Sequence, residues 1–334
     1  MRIPRWLAWL LISLTFLTAG LIRQFHEEIP TSPYIPPAAG SLLFAAVLFL
    51  LLVMAREQRL GAAPGPGVRL GSLTPLLLIL LGEKWISLTF YHPTFYWVSP
   101  ASAPPALLDA FYRAFSGAGL LAIVLLVSRF SAPSARRVWR CSRPALWPWA
   151  AAGTVLAIAG TYLVLWLLTV GFGGHTRILW PPADGLVGWT LVGQASRAFA
   201  EEIYYRGLLL FELQRLAPRL GVRSAPGRRW VALLFTSVLF GMEHVTTAPS
   251  AEIMLRRFVF TVALGLLLGI VVLISSNLHL AAGLHAWINW LLLGAVPRFV
   301  DDAGQSLLPP GTYIGISMAL AFVLLFLFNG RQRR

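Results

Sequence analysis

Two adjacent carboxylates, followed by an arginine, stand inside one apolar stretch of this sequence. Glu201 and Glu202 begin the run EEIYYR, which ends at Arg206. A charged side chain at the centre of a membrane helix costs at least about 2.5–3.5 kcal/mol, so such residues are candidates for function. Glu202 and Arg206 are four residues apart and would share one face of an α-helix, within reach of an ion pair. Glu201 would then face another partner, unless Arg197, four residues before it, neutralises it.

Two histidines in later apolar stretches supply imidazoles that could work with a carboxylate. His244 follows Phe240 by four residues and His285 precedes Asn289 by four, so each pair would share a helix face. A carboxylate beside an imidazole can deprotonate water, and an imidazole or carboxamide opposite can stabilise the oxyanion of amide hydrolysis. A zinc ion held by Glu201, His244 and His285, with one position open to water, is the alternative chemistry.

The elements that must position these residues are membrane-spanning helices. Of the 334 residues, 57% are hydrophobic and 12% are charged, whereas a soluble domain is about 25% charged. Apolar stretches of roughly 18 or more residues recur, each long enough to cross a hydrocarbon core. The predicted fold is all-α, a polytopic transmembrane bundle of about ten spans, at residues 6–22, 38–55, 70–91, 106–128, 148–172, 186–213, 230–247, 256–275, 278–295 and 312–329.

The net charge is +14, and the positions of the basic residues along the chain indicate the orientation of these helices. With the N-terminus in the cytoplasm, most of the lysines and arginines fall in cytoplasmic segments, as the positive-inside rule requires. Both termini are therefore predicted to be cytoplasmic. Because membrane topology accounts for the basic residues, we expect no nucleic-acid partner.

The three motifs together resemble those of the CPBP family, which contains the type II CAAX prenyl endopeptidases and related bacterial intramembrane proteases. They lie in the family's order, each on its own predicted span. They are EExxxR at 201–206, FxxxH at 240–244 and HxxxN at 285–289.

The resemblance implies a role for each motif residue. Glu201 with His244 would activate the water, and His285 with Asn289 would form the oxyanion hole. The supporting residues would be Glu202, Arg206 and Phe240. The resemblance favours a glutamate-dependent mechanism without a metal cofactor, with zinc as the alternative.

The same resemblance divides the chain and suggests its function. We predict an N-terminal four-span region at 1–146 and a CPBP-like core at 147–334, with the motifs within 186–295. The leading hypothesis is an intramembrane endopeptidase of the bacterial inner membrane that cleaves a membrane-associated or exported protein or peptide. The alternatives are a non-proteolytic scaffold or immunity-type protein of the same fold, and a proton-coupled transporter that uses Glu201, Arg206 and His244.

Overall fold

A computed structural model describes part of the chain. The described residues are 2–15, 68–69, 73, 76–77, 80, 137–138, 140–171, 177–181, 185–245, 250–300 and 307–332. The predicted spans at 38–55 and 106–128 lie outside the described residues. The predicted span at 70–91 is described at four leucines only.

Helices make up most of the described structure. The α-helices are α1 Arg5–Thr15, α2 Trp147–Gly171, α3 Gly185–Glu202, α4 Leu210–Leu216, α5 Ala225–His244, α6 Ala251–Ser275, α7 Leu278–Leu292 and α8 Pro310–Gln332. A π-helix, Ile203–Leu209, joins α3 to α4. The described residues also contain two short antiparallel strand pairs, β1 Arg2–Ile3 with β2 Val68–Arg69 and β3 Arg177–Leu179 with β4 Arg298–Val300.

Two of the described helices are long and apolar enough to cross a membrane. They are Pro144–Gly171, which includes the turn before α2, and Ala251–Ser275. They coincide with the predicted spans at 148–172 and 256–275. The count of ten spans and the orientation of the termini stay predictions.

The chain forms two compact units. Unit 1 takes its described residues from Met1–Ala101, Ala118–Trp139 and Ile203–Gly269, and unit 2 from Ser102–Gly117, Arg140–Glu202 and Ile270–Arg334. The chain passes from unit 2 to unit 1 directly after Glu202. The predicted functional boundary between residues 146 and 147 stays a prediction.

In unit 2, α7 packs against both α2 and α3. Asn277 caps the start of α7, because its side-chain oxygen accepts hydrogen bonds from the backbone N–H groups of His279 and Leu280, at 3.0 and 3.3 Å. Close approach to α2 depends on a small residue, since a Cβ on Gly283 would overlap the Thr154 side chain. Small residues of this kind let membrane helices pack closely.

In unit 1, glycines on α6 and α5 allow close packing between these two helices. A Cβ on Gly265 of α6 would lie 3.1 Å from the backbone of Ser237, and one on Gly241 of α5 would overlap Val262. Ser224 starts α5, because its hydroxyl accepts a hydrogen bond from the Gly227 backbone N–H at 3.2 Å. This packing fixes α5, which carries Phe240 and His244.

Candidate active site

A buried histidine of unit 2 faces both adjacent carboxylates. His285 Nδ1 lies 2.9 Å from Glu202 Oε1, and Nε2 lies 3.8 Å from Glu201 Oε2. All three side chains are buried: His285 is 1% exposed, Glu202 is 0% exposed and Glu201 is 6% exposed. An ionised carboxylate can only accept, so Nδ1–H donates to Glu202, and Nε2 is the ring nitrogen on the side of Glu201.

The packing of α3 against α7 brings this cluster together. The Phe199 ring, two residues before Glu201, stacks on His279 of α7 with centroids 5.2 Å apart. Further along α7, Trp290 Nε1–H donates to the Leu191 carbonyl of α3 at 3.0 Å. These contacts set the rotation of α7 that directs His285 toward the carboxylates.

Glu201 also forms an ion pair within its own helix. Arg197 Nε–H donates to Glu201 Oε1 at 2.6 Å, one turn earlier on α3. Of the two outcomes expected for Glu201, the structure has the one in which Arg197 compensates its charge. Arg197 takes Oε1, whereas Oε2 is the oxygen on the side of His285. The ion pair and the approach of the imidazole therefore use different oxygens of one carboxylate.

A π-helix begins immediately after the two carboxylates. Ile203–Leu209 makes i→i+5 turns, and all seven of its residues are buried. π-Helical turns inside α-helices are rare and are frequent at functional sites. The predicted shared face of Glu202 and Arg206 depends on regular α geometry, which the chain does not follow after Glu202. The predicted Glu202–Arg206 ion pair stays a prediction.

In unit 1, Arg206 lies against aromatic rings. Its guanidinium carbon is 4.3 Å from the centroid of Phe240 and 5.5 Å from that of Tyr205, and the side chain is 1% exposed. Its Nη2 donates to the Gly265 carbonyl at 3.4 Å. A desolvated cation–π contact contributes about 2 kcal/mol. Arg206 therefore connects the π-helix to Phe240. The supporting role expected for both residues stays a prediction.

His244 takes a defined orientation from the residue one turn before it. Its Nδ1–H donates to the Phe240 carbonyl at 2.7 Å, and the two rings are 4.2 Å apart. Because a carbonyl can only accept, Nδ1 carries a proton and Nε2 is the basic nitrogen of the neutral ring. The FxxxH spacing thus produces a contact within one helix, as the i,i+4 rule predicts.

Tyr205 is a site residue that the sequence analysis did not select. Its hydroxyl donates to the Glu243 carboxylate, and both side chains are buried. Glu243 directly precedes His244, so this bond fixes the end of α5 to the π-helix. A tyrosine and a glutamate 38 residues apart leave no local pattern in the sequence that would predict the bond.

Asn289 lies one turn after His285 on α7 and is partly buried. Its backbone carbonyl accepts from the Leu293 N–H at 3.1 Å. The structure thus places Glu201, Glu202 and His285 together in unit 2. The joint action of His244 with Glu201, and the oxyanion role of Asn289, stay predictions.

A metal site would require a cluster of His, Cys, Asp or Glu side chains. Among the residues that the structure describes, no group of three or more His, Cys, Asp or Glu side chains is placed to hold a metal ion. Zinc bound by Glu201, His244 and His285 stays the alternative that was stated from the sequence.

Comparison with known proteins identifies the segment that carries the three motifs. Residues 183–291 match the family model described as type II CAAX prenyl endopeptidase Rce1-like. This family consists of helical integral membrane proteins and is associated with CAAX-type protease activity. No curated protein and no solved structure matches the chain.

Proposed function

We propose that this protein, through its Rce1-like segment at 183–291, is an intramembrane endopeptidase that uses a glutamate to activate water. The observation that carries the proposal is the buried contact of His285 with Glu201 and Glu202 inside that segment. Two carboxylates and an imidazole are costly to bury among apolar helices, and intramembrane ionisable groups mark functional sites.

In the proposed reaction, Glu201 acts as the general base. Its carboxylate takes a proton from water, and the water oxygen forms a bond to the carbon of the scissile amide. The carbonyl electrons move onto oxygen to give a tetrahedral oxyanion. The C–N bond then breaks, and the proton held by Glu201 passes to the departing amine. The products are a carboxylic acid and an amine, between which one proton transfer leaves a carboxylate and an ammonium group. No covalent enzyme intermediate forms.

The other residues orient the reactants. His244, with its Nδ1–H fixed on the Phe240 carbonyl, would hold the water through Nε2. A second proton on His285 would make Nε2 a donor to the oxyanion, while Nδ1–H stays on Glu202. The Asn289 amide would add a second donor, and one such donor contributes about 3–4 kcal/mol to transition-state stabilisation.

The substrate class follows from the site's surroundings. A site formed by helices of a membrane protein favours a membrane-associated or exported protein or peptide, for example a transmembrane or C-terminal sorting segment. The proposed location is the bacterial inner membrane, where the lipid bilayer is the protein's environment. We propose that the reaction requires no metal.

The test is peptide cleavage by the purified full chain in proteoliposomes. A panel of fluorogenic peptides would include a farnesylated Cys-aliphatic-aliphatic-X sequence and apolar membrane segments. Glu201→Gln should reduce kcat/KM by at least about 100-fold, as expected for removal of a general base. Glu252→Gln is the matched control, because its exposed carboxylate also pairs with an arginine four residues away. A Glu201→Gln protein that cleaves at the wild-type rate would refute the proposal.

A non-proteolytic scaffold is the second candidate. The observation that favours it is the Arg197–Glu201 ion pair, which is compatible with a purely structural role for the glutamate. A scaffold would retain its cellular function in His244→Ala and His285→Ala variants that still accumulate in the membrane. The protease would lose its function in both variants.

A further inference from the structure

A cavity of about 340 Å³ in unit 1 is lined mainly by arginines. This volume falls within the range of about 300–1,000 Å³ that is typical of small-ligand sites. None of the proposed catalytic residues lines it. The lining residues are Arg137, Phe211, Gln214, Arg215, Ala225, Arg228 and Arg229.

Two of these arginines are held in place by neighbouring side chains. Arg215 forms an ion pair with Glu212, which is completely buried. The guanidinium of Arg137 lies 4.8 Å from the centre of the Phe211 ring. Glu212 compensates one of the four arginine charges, so the lining of the cavity keeps a net positive charge.

The other two arginines stand where a cation is unfavourable. Arg228 ends the first turn of α5 and Arg229 begins the second, and the first turn contains no acidic residue. The positive end of the helix macrodipole lies there, so it repels cations and attracts anions. An anion in the cavity would relieve the repulsion among these groups.

Gln214 supplies an uncharged donor to the same cavity. Its amide nitrogen Nε2 is buried and has no hydrogen-bond partner among the described residues. A buried donor without a partner is unfavourable, and a bound acceptor oxygen would remove that cost. Guanidinium and amide groups in the lining of one small cavity suit the oxygens of a phosphate group.

We propose that this cavity binds a phosphate group, either in the headgroup of an anionic phospholipid or as free phosphate. The neighbouring surface favours the lipid. Trp230, directly after Arg229, is 61% exposed, and the rest of α5 is largely apolar. A basic turn, an exposed tryptophan and an apolar helix in succession are typical of a membrane–water interface. This site is independent of the proposed catalytic reaction.

The test is lipid binding to the purified full chain, followed by native mass spectrometry. Phosphatidylglycerol would be titrated against phosphatidylcholine with the same acyl chains, and inorganic phosphate would be tested separately by phosphorus NMR. Loss of two arginines from the site, in Arg228→Gln/Arg229→Gln, should raise the Kd for the binding anion about 30-fold. Arg228→Lys/Arg229→Lys, which keeps the charge, should retain most of the affinity.

Arg256→Gln/Arg257→Gln is the matched control, since it removes the same charge from exposed positions near the start of α6. It should change the Kd by less than about twofold. If the first double variant does not accumulate, Arg229→Gln alone, at an exposed position, should raise the Kd about fivefold.

The outcomes distinguish the two sources of phosphate. Tight phosphatidylglycerol binding that inorganic phosphate does not displace supports a lipid site. Binding of inorganic phosphate that is lost in the double variant supports a free-phosphate site. Equal binding of both lipids by wild type and double variant, together with no phosphate binding, overturns the proposal.

Discussion

Replacement of Glu202 by glutamine tests whether the carboxylate that bonds to His285 contributes to hydrolysis. The hydrogen bond between Glu202 and His285 is 2.9 Å long. The two residues are 0% and 1% exposed, so bulk water cannot supply a replacement hydrogen bond to the imidazole. A glutamine can still accept through its oxygen, but it can also present its NH₂ group to Nδ1. That exchange requires an Nδ1 without a proton, so it opposes the doubly protonated ring whose Nε2–H would bond the oxyanion.

The size of the effect follows from the type of hydrogen bond. A bond to a charged group contributes about 1.5–3 kcal/mol and a neutral one about 0.5–1.5 kcal/mol. The substitution should therefore remove about 1–1.5 kcal/mol of orienting energy. If this loss adds to the activation free energy, kcat falls roughly tenfold. KM should stay unchanged, because Glu202 bonds to a residue of the site and not to the substrate.

The measurement is kcat and KM for peptide cleavage in proteoliposomes, together with the unfolding midpoint of each variant. Because the weaker hydrogen bond also loses about 1–1.5 kcal/mol in the folded state, Glu202→Gln should lower the midpoint slightly, and both proteins are assayed well below their midpoints. Glu252→Gln again controls for the loss of one carboxylate. A Glu202→Gln protein with wild-type kcat would show that the bond to His285 does not position the imidazole for the reaction.

Three further predictions concern stability and cofactors. Tyr205→Phe should reduce the free energy of unfolding by about 1–3 kcal/mol, because it leaves the buried Glu243 carboxylate without that donor; an unchanged denaturation midpoint in detergent would contradict this. Gly283→Ala should destabilise by about 1–3 kcal/mol, since its methyl would overlap Thr154. Gly315→Ala is the control, because its Cβ meets no described atom within 4 Å, and it should stabilise the protein by up to about 1 kcal/mol. Equal thermal shifts for Gly283→Ala and Gly315→Ala would be inconsistent with the described packing. Dialysis against a zinc chelator should leave peptide cleavage unchanged, and loss of activity that returns with added zinc would favour the zinc alternative.

The sequence by itself determined where several of the described helices lie. Spans predicted at 148–172, 256–275 and 278–295 correspond to helices Trp147–Gly171, Ala251–Ser275 and Leu278–Leu292. The physical reason is local: the length of an apolar run and the residues that end it are properties of neighbouring positions. For the same reason, the four-residue spacing of Phe240 and His244 correctly predicted a contact between them.

Only the tertiary structure decided which partner each ionisable group takes. The bond between Glu202 and His285 joins residues 83 positions apart, and it depends on how α7 is rotated and shifted against α3. The π-helix after Glu202 is likewise known only from the structure, since such turns are rare and all seven of its residues are buried. A motif identifies the chemical groups that are present, whereas the distances between their atoms depend on contacts between remote segments that no local pattern specifies.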